Sequence, residues 1–201
     1  MSKPVIGLTG PTGAGKSTVC AVWAKEGCAV VDADRVAREI TALPECLAAL
    51  RAEYGEDIVN SEGALNRELL AARAFATPQK AARLNRITNP LILKEIRDRA
   101  ARLSLRQPVV LDVPLLFESG ADCLCGKTAA VLAPREVRLA RIVKRDGISE
   151  EQALARMSAQ PEDEYYTRRA DYVLNGASSP EELVQAAKTV LAQIFGEFHE
   201  T

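Results

Sequence analysis

The stretch Gly10-Pro11-Thr12-Gly13-Ala14-Gly15-Lys16-Ser17-Thr18 constrains this chain more than any other. The apolar run Val5-Ile6-Gly7-Leu8 precedes it, and a segment of helical period follows. Glycines at this spacing let backbone N–H groups turn inward around polyphosphate oxygens, and a helix beginning near Lys16 adds the positive end of its dipole. Lys16 supplies a mobile cation, and Ser17 is placed for its hydroxyl to ligate a Mg2+ shared by the β- and γ-phosphates of a nucleotide. A G-x-x-x-x-G-K-[ST] match alone also describes plain glycine-rich turns. The strand before and the helix after make it a phosphate-binding P-loop, with Gly13, Ala14, Gly15, Lys16, Ser17 and Thr18 as the expected nucleotide ligands.

The rest of the chain reads as strands alternating with helices. Val5 to Leu8 has the character of a central parallel strand buried on both faces, and Val19, Val22 and Trp23 recur at helical spacing until Gly27. A second strand, residues 28–31, delivers Asp32-Ala33-Asp34 at its carboxyl end, where ligands of open α/β sheets gather. From Val36 to about Arg106 the period is helical without a convincing strand. Pro44 interrupts that stretch, Asn66 is a predicted N-cap, and Thr77-Pro78 and Asn89-Pro90 each read as a helix start. An insertion of this length exceeds a simple crossover and predicts a helical subdomain that could hold an acceptor substrate.

Residues 108–113 form an apolar third strand ending near Asp112, followed by the loop Pro114-Leu115-Leu116-Phe117-Glu118. A fourth strand covers 128–133, Pro134 opens a helix that Gly147 closes, and Arg138, Arg141 and Arg145 share one face of it. Arg138 and Arg145 read equally well as solvated surface charge; with few acids on that face to pair them, the three cations read more economically as a clamp closing over ATP, a lid that would strip water from the site. Ser149 with Gln152, and Ser179 with Glu182, are capping boxes flanking a fifth strand at 172–174. The expected architecture is α/β: a doubly wound, five-stranded parallel sheet of P-loop NTPase type with an inserted helical substrate subdomain and an arginine-bearing lid. Its core spans about 1–35, 107–134 and 170–201, its helical subdomain about 36–106 and its lid about 135–169, all in one domain.

Composition narrows the partners. A net charge of −1 offers no global positive field for nucleic acid, so an anion site must be built locally and a small ligand is favoured. His199 is the only histidine, which argues against histidine acid–base chemistry or a histidine-rich metal site. Five cysteines without a C-x-x-C spacing read as reduced thiols. No run approaches the roughly 18 apolar residues of a membrane span, and no signal peptide precedes the first strand. A cytoplasmic monomer without a membrane or nucleic-acid partner is expected.

Phosphoryl transfer needs positioned phosphates, Mg2+, charge screening and an oriented nucleophile. Lys16 and the loop hold the donor. Asp34 is placed to accept a proton from a hydroxyl as phosphate is transferred; Asp32 could do so instead, or bind the metal's waters, and Asp34 could simply cap the helix at Arg35. Asp112 could support Mg2+ through water, or face solvent.

These residues also carry a resemblance. Gly7-Leu8-Thr9-Gly10 running into the P-loop, Asp32-Ala33-Asp34, Asn89-Pro90-Leu91-Ile92, Pro114 to Glu118, Arg141 with Arg145-Asp146, Met157 to Gln160, and Ala170-Asp171 leading to Asn175-Gly176 resemble the dephospho-coenzyme A kinase family along nearly the whole chain. The resemblance implies ATP- and Mg2+-dependent phosphorylation of the ribose 3'-hydroxyl of dephospho-CoA, the last step of coenzyme A synthesis. It implies Asp34 as base, Lys16 as phosphate ligand, Thr9 near the reacting groups, Arg141 as lid cation, and Leu115 and Glu118 lining the acceptor site. Pro11-Thr12 departs from the family's usual Gly-Ile, and Asn89 from its usual histidine. The proline removes one N–H and stiffens the loop, while Asn89 can hydrogen-bond an acceptor phosphate or cap a helix but cannot become cationic. The rival readings are another small P-loop nucleotide or nucleoside kinase and a regulatory NTP-binding switch. The 114–118 loop and long helical insert argue against the first, the missing N/T-K-x-D guanine reader against the second.

Overall fold

The computed structural model describes residues 2–199, which divide into one unit formed by the chain up to Val31 and from Arg99 onward, and a second unit, Asp32–Asp98. The first is built on a five-stranded sheet of order β2-β3-β1-β4-β5. Its strands are β1 (Val5–Thr9), β2 (Ala29–Asp32), β3 (Val109–Asp112), β4 (Lys127–Leu132) and β5 (Tyr172–Asn175). β1 lies between β3 and β4, parallel to both, with Leu8 opposite Asp112 and Ala129. A strand flanked in this way has no free edge, and Ile6, Gly7, Leu8 and Thr9 are all buried, which is why it reads as a continuous apolar run rather than an alternating one.

Helices α1 (Lys16–Lys25) and α9 (Pro180–His199) cover the sheet together. Val19, Val22 and Trp23 of α1 meet Leu183, Ala187, Leu191 and Ile194 of α9 over Ile6, Leu8, Ala129 and Val131. Trp23 buries its ring completely and donates Nε1–H to the Ala187 carbonyl at 2.8 Å, satisfying the one polar atom that its burial would strand. α6 (Arg135–Asp146) and α7 (Glu150–Ser158) have a small core of their own, Ile142, Ala153 and Met157. Gly147 closes α6 and the Ser149–Gln152 capping box opens α7, both where the sequence places them. The five-residue α8 (Asp163–Thr167) carries no period long enough to be seen in sequence.

The second unit contains α2 (Ala33–Ile40), α3 (Pro44–Tyr54) and α4 (Arg67–Ala74), and α5 (Pro78–Ser104) runs from it into the first. Asn66 caps α4 by accepting the Leu69 N–H at 3.0 Å, and Thr77 starts α5 by accepting the Lys80 N–H at 3.2 Å. Pro44 does interrupt the helical stretch: α2 ends at Ile40 and Pro44 begins α3. The Asn89-Pro90 pair does not start a helix; α5 continues through it. An internal proline forfeits one N–H bond and crowds the carbonyl four residues back, a cost that burial of Thr88, Ile96 and Ala100 along the same helix offsets, while Pro90 itself is exposed.

Candidate functional site

The P-loop leaves β1 and closes a tight turn in which the Ala14 N–H donates to the Pro11 carbonyl at 3.2 Å. Gly13, third in that turn, has φ +78°, the glycine position of a type II turn. A Cβ there would also stand 2.8 Å from the Arg138 carbonyl oxygen, so both backbone conformation and packing against α6 require glycine. On the other flank, a Cβ on Gly176 would lie 1.7 Å from the Ala14 carbonyl oxygen, so the turn after β5 can approach the loop only as glycine.

Three side-chain contacts then orient the loop's peptide groups. Gln160 Oε1 accepts the Thr12 N–H at 2.9 Å, and the Arg141 guanidinium donates to the carbonyls of Gly13 at 3.2 Å and Ala14 at 3.4 Å. In a trans peptide C=O and N–H point opposite ways. Drawing the Ala14 carbonyl toward Arg141 therefore turns the Gly15 N–H to the other side. Among the described residues, the amides of Gly13, Gly15, Lys16 and Ser17 have no protein acceptor, and the last two belong to the unsatisfied first turn of α1. These donors, at the N-terminus of a ten-residue helix, form a concavity suited to an anion.

The Lys16 ammonium pairs with the Asp112 carboxylate at the end of β3, with both side chains largely buried. β1 and β3 are adjacent and in register, so the end of β3 comes beside the loop that leaves β1. The Ser17 hydroxyl is exposed, and Thr18 closes the helix start by donating its N–H to the Gly15 carbonyl at 3.0 Å. Thr9 is fully buried, and its hydroxyl donates to the Pro114 carbonyl at 3.1 Å. It thus fastens the start of the 114–118 segment to β1. Within that segment Leu115 and Glu118 are exposed, whereas Phe117 meets Tyr165 of α8 edge-on at 6.2 Å. Arg169 lies over the face of Tyr165, 3.9 Å from its centroid.

The three arginines of α6 do not form one unpaired face. Arg138 is buried and faces Asp163 at 3.7 Å; Arg145 binds Asp146 at 2.7 Å, and Arg156 binds the same carboxylate at 2.8 Å. Arg145, with Arg156 behind it, holds the Asp146 carboxyl below its ordinary range. Their acids come from Asp146, next along the same helix, and from α8, an element invisible in sequence. Of the three, Arg141 is the one whose side chain hydrogen-bonds the P-loop.

The second unit carries Asp32, Asp34 and Asn89. Asp32 is the N-cap of α2, accepting the Arg35 N–H at 3.1 Å, so capping falls to Asp32 and not to Asp34. Asp34 sits exposed in the first turn of α2, and Asn89 is half-buried on α5. Sequence reasoning assigned no role to Gln160 as an individual residue. Its contact joins residues 148 apart, and no local pattern announces such a pairing.

Comparison with known proteins gives a consistent result. Residues 4–182 match the family model described as dephospho-CoA kinase. A dephospho-CoA kinase of Corynebacterium diphtheriae is 42% identical over 191 residues, covering 92% of this chain and 94% of that protein. One of Anaeromyxobacter dehalogenans is 38% identical over 195 residues, covering 96% and 92%. A crystal structure from Thermus thermophilus superposes with TM-score 0.82 at 34% identity, covering 96% of this chain and 98% of that one. A shikimate kinase of Acinetobacter baumannii, at TM-score 0.56 and 20% identity over 97% and 94%, shares the fold.

Proposed function

This chain belongs to the dephospho-CoA kinase family, and from that premise we propose that it transfers the γ-phosphoryl group of ATP to the ribose 3'-hydroxyl of 3'-dephospho-CoA, yielding CoA and ADP. The observation that carries this reading is the loop whose amides at Gly13, Gly15, Lys16 and Ser17 are left to a ligand beside one lysine, on a chain that matches this family over residues 4–182. In it, the amides of the loop and Lys16 grip the triphosphate, Ala14 and Thr18 complete that cradle, and Arg141 adds positive charge from α6 as the lid cation. Asp34 accepts the proton of the attacking 3'-hydroxyl as the bond to phosphorus forms, and ADP leaves with the electron pair of the bond broken. Asp32 caps α2 and so orients the first turn that carries Asp34. Acceptor binding is assigned to Leu115 and Glu118 in the first unit and to Asn89 in the second, and Thr9 contributes by holding the 114–118 segment.

The donor set suits Mg2+ held jointly with the substrate. Ser17 offers an exposed hydroxyl and Asp112 a carboxylate, and no cluster of three His, Cys, Asp or Glu side chains that could hold a metal alone occurs among the described residues. Phosphate oxygens and water would complete its shell, and bound there it screens the charge of the transferred group. All five cysteines are free thiols, which supports a reducing, cytoplasmic compartment, and no helix among the described residues is long and apolar enough to cross a membrane.

The test offers ATP and Mg2+ with dephospho-CoA, AMP, CMP or adenosine and identifies the phosphorylated product. Dephospho-CoA alone is expected to be phosphorylated efficiently; preference for a nucleoside or monophosphate would overturn the reading. Asp34→Asn is expected to lower kcat by orders of magnitude while ATP still binds, and undiminished turnover would remove Asp34 as the base.

A further inference from the structure

Gln160 lies where the chain leaves α7, its own N–H bonded to the Met157 carbonyl at 3.1 Å and Pro161 following it. Its side chain reaches the Thr12 N–H, the first amide after Pro11, which has none. Arg141 takes the carbonyls of the next two residues. A cavity of about 130 Å3, lined by Gln160 together with Arg135, Arg138 and Met157, adjoins this contact. The glutamine is therefore not wedged against the loop by packing. With open space beside it, the hydrogen bond holds the side chain to the loop.

The Pro11–Ala14 turn can in principle flip its central peptide, exchanging type I and type II forms, and the flip would reverse the Gly13 N–H. Gln160 fixes the peptide plane before that point, and Arg141 fixes the plane after it. We propose that Gln160 is a positioning residue for nucleotide binding: its amide oxygen locks the Thr12 peptide so that the Gly13 amide faces the phosphates. The proposal rests on the reading that ATP binds in this loop. It also makes the turn between α7 and α8 part of the donor site and leaves the acceptor site untouched.

The experiment compares wild type with Gln160→Met, which keeps the side chain's length without the acceptor, and with Gln160→Glu, which keeps an acceptor oxygen. ADP affinity is measured by calorimetry, and KM is measured separately for ATP and for dephospho-CoA. Gln160→Met is expected to weaken ADP binding and raise KM for ATP by about fivefold, the effect of removing the acceptor from a half-buried donor and releasing the loop peptide that it holds. KM for dephospho-CoA stays within about twofold, and Gln160→Glu recovers most of the loss. Unchanged ADP affinity in Gln160→Met, equal impairment of the two variants, or a parallel rise of both KM values would overturn the proposal. Should wild type bind ADP yet leave dephospho-CoA unphosphorylated, the functional reading fails, while the ADP comparison still decides the role of Gln160.

Discussion

Replacing Asp112 with asparagine tests what Lys16 must give up when a polyphosphate arrives. The Lys16 and Asp112 side chains are only 19% and 17% exposed, so their ion pair is neither a solvated surface pair nor a fully dry one. Two unit charges 4 Å apart attract by about 4 kcal/mol at an effective dielectric of about 20. Desolvation takes back more than half of that, leaving about 1–2 kcal/mol that the phosphates must replace before the ammonium turns to them. Asp112→Asn keeps shape and removes the competing charge, so ADP measured by calorimetry in EDTA is expected to bind about five- to thirtyfold more tightly. With Mg2+ restored, kcat is expected to fall, because the carboxylate proposed to support the metal is gone. Equal or weaker ADP affinity in EDTA, in a variant that melts at the wild-type temperature, would refute the idea that this pair restrains Lys16.

Two other expectations concern groups away from the proposed chemistry. Tyr166 is fully buried, its hydroxyl is pushed up to about 12 chiefly by burial, and that oxygen has no hydrogen-bond partner among the described residues. Tyr166→Phe should therefore leave stability unchanged or raise it by up to about 1 kcal/mol in denaturant unfolding, and a loss larger than that would reveal a missing partner. Burial also pushes the Cys28 thiol up to about 11 and the Cys125 thiol up to about 12, so both stay protonated at pH 8, whereas Cys123 is exposed. An aromatic disulfide reagent at pH 8 should modify Cys123 first, with that phase lost in Cys123→Ser; rapid labelling of the variant would count against the burial argument.

Much of this protein is written locally. The P-loop, the strand before it and the helix after it occupy neighbouring residues, and the capping boxes at Ser149 and Ser179 bond residues three apart, so a linear reading finds them. The apolar runs of β1, β3 and β4 likewise foretell central parallel strands buried on both faces, whereas the edge strands β2 and β5 alternate between buried and exposed residues. Two things were beyond that reading. α5 runs past Pro90, because the packing of Thr88, Ile96 and Ala100 outweighs one lost N–H bond and a local rule about proline cannot weigh that packing. The arginines of α6 look alike in sequence, yet Arg138 and Arg145 have acids beside them and Arg141 meets the P-loop, a sorting made by where α8 and Asp146 stand.

Residue type and spacing along the chain determined that a phosphate-binding loop would form, since a glycine-rich turn between strand and helix depends on backbone freedom and a helix end within a few residues. Which groups hold that loop in shape was decided only in three dimensions. Gln160, Arg141 and Asp112 approach it from 148, 128 and 96 residues away, and contacts that depend on through-space distance leave no period or motif in the order of the amino acids.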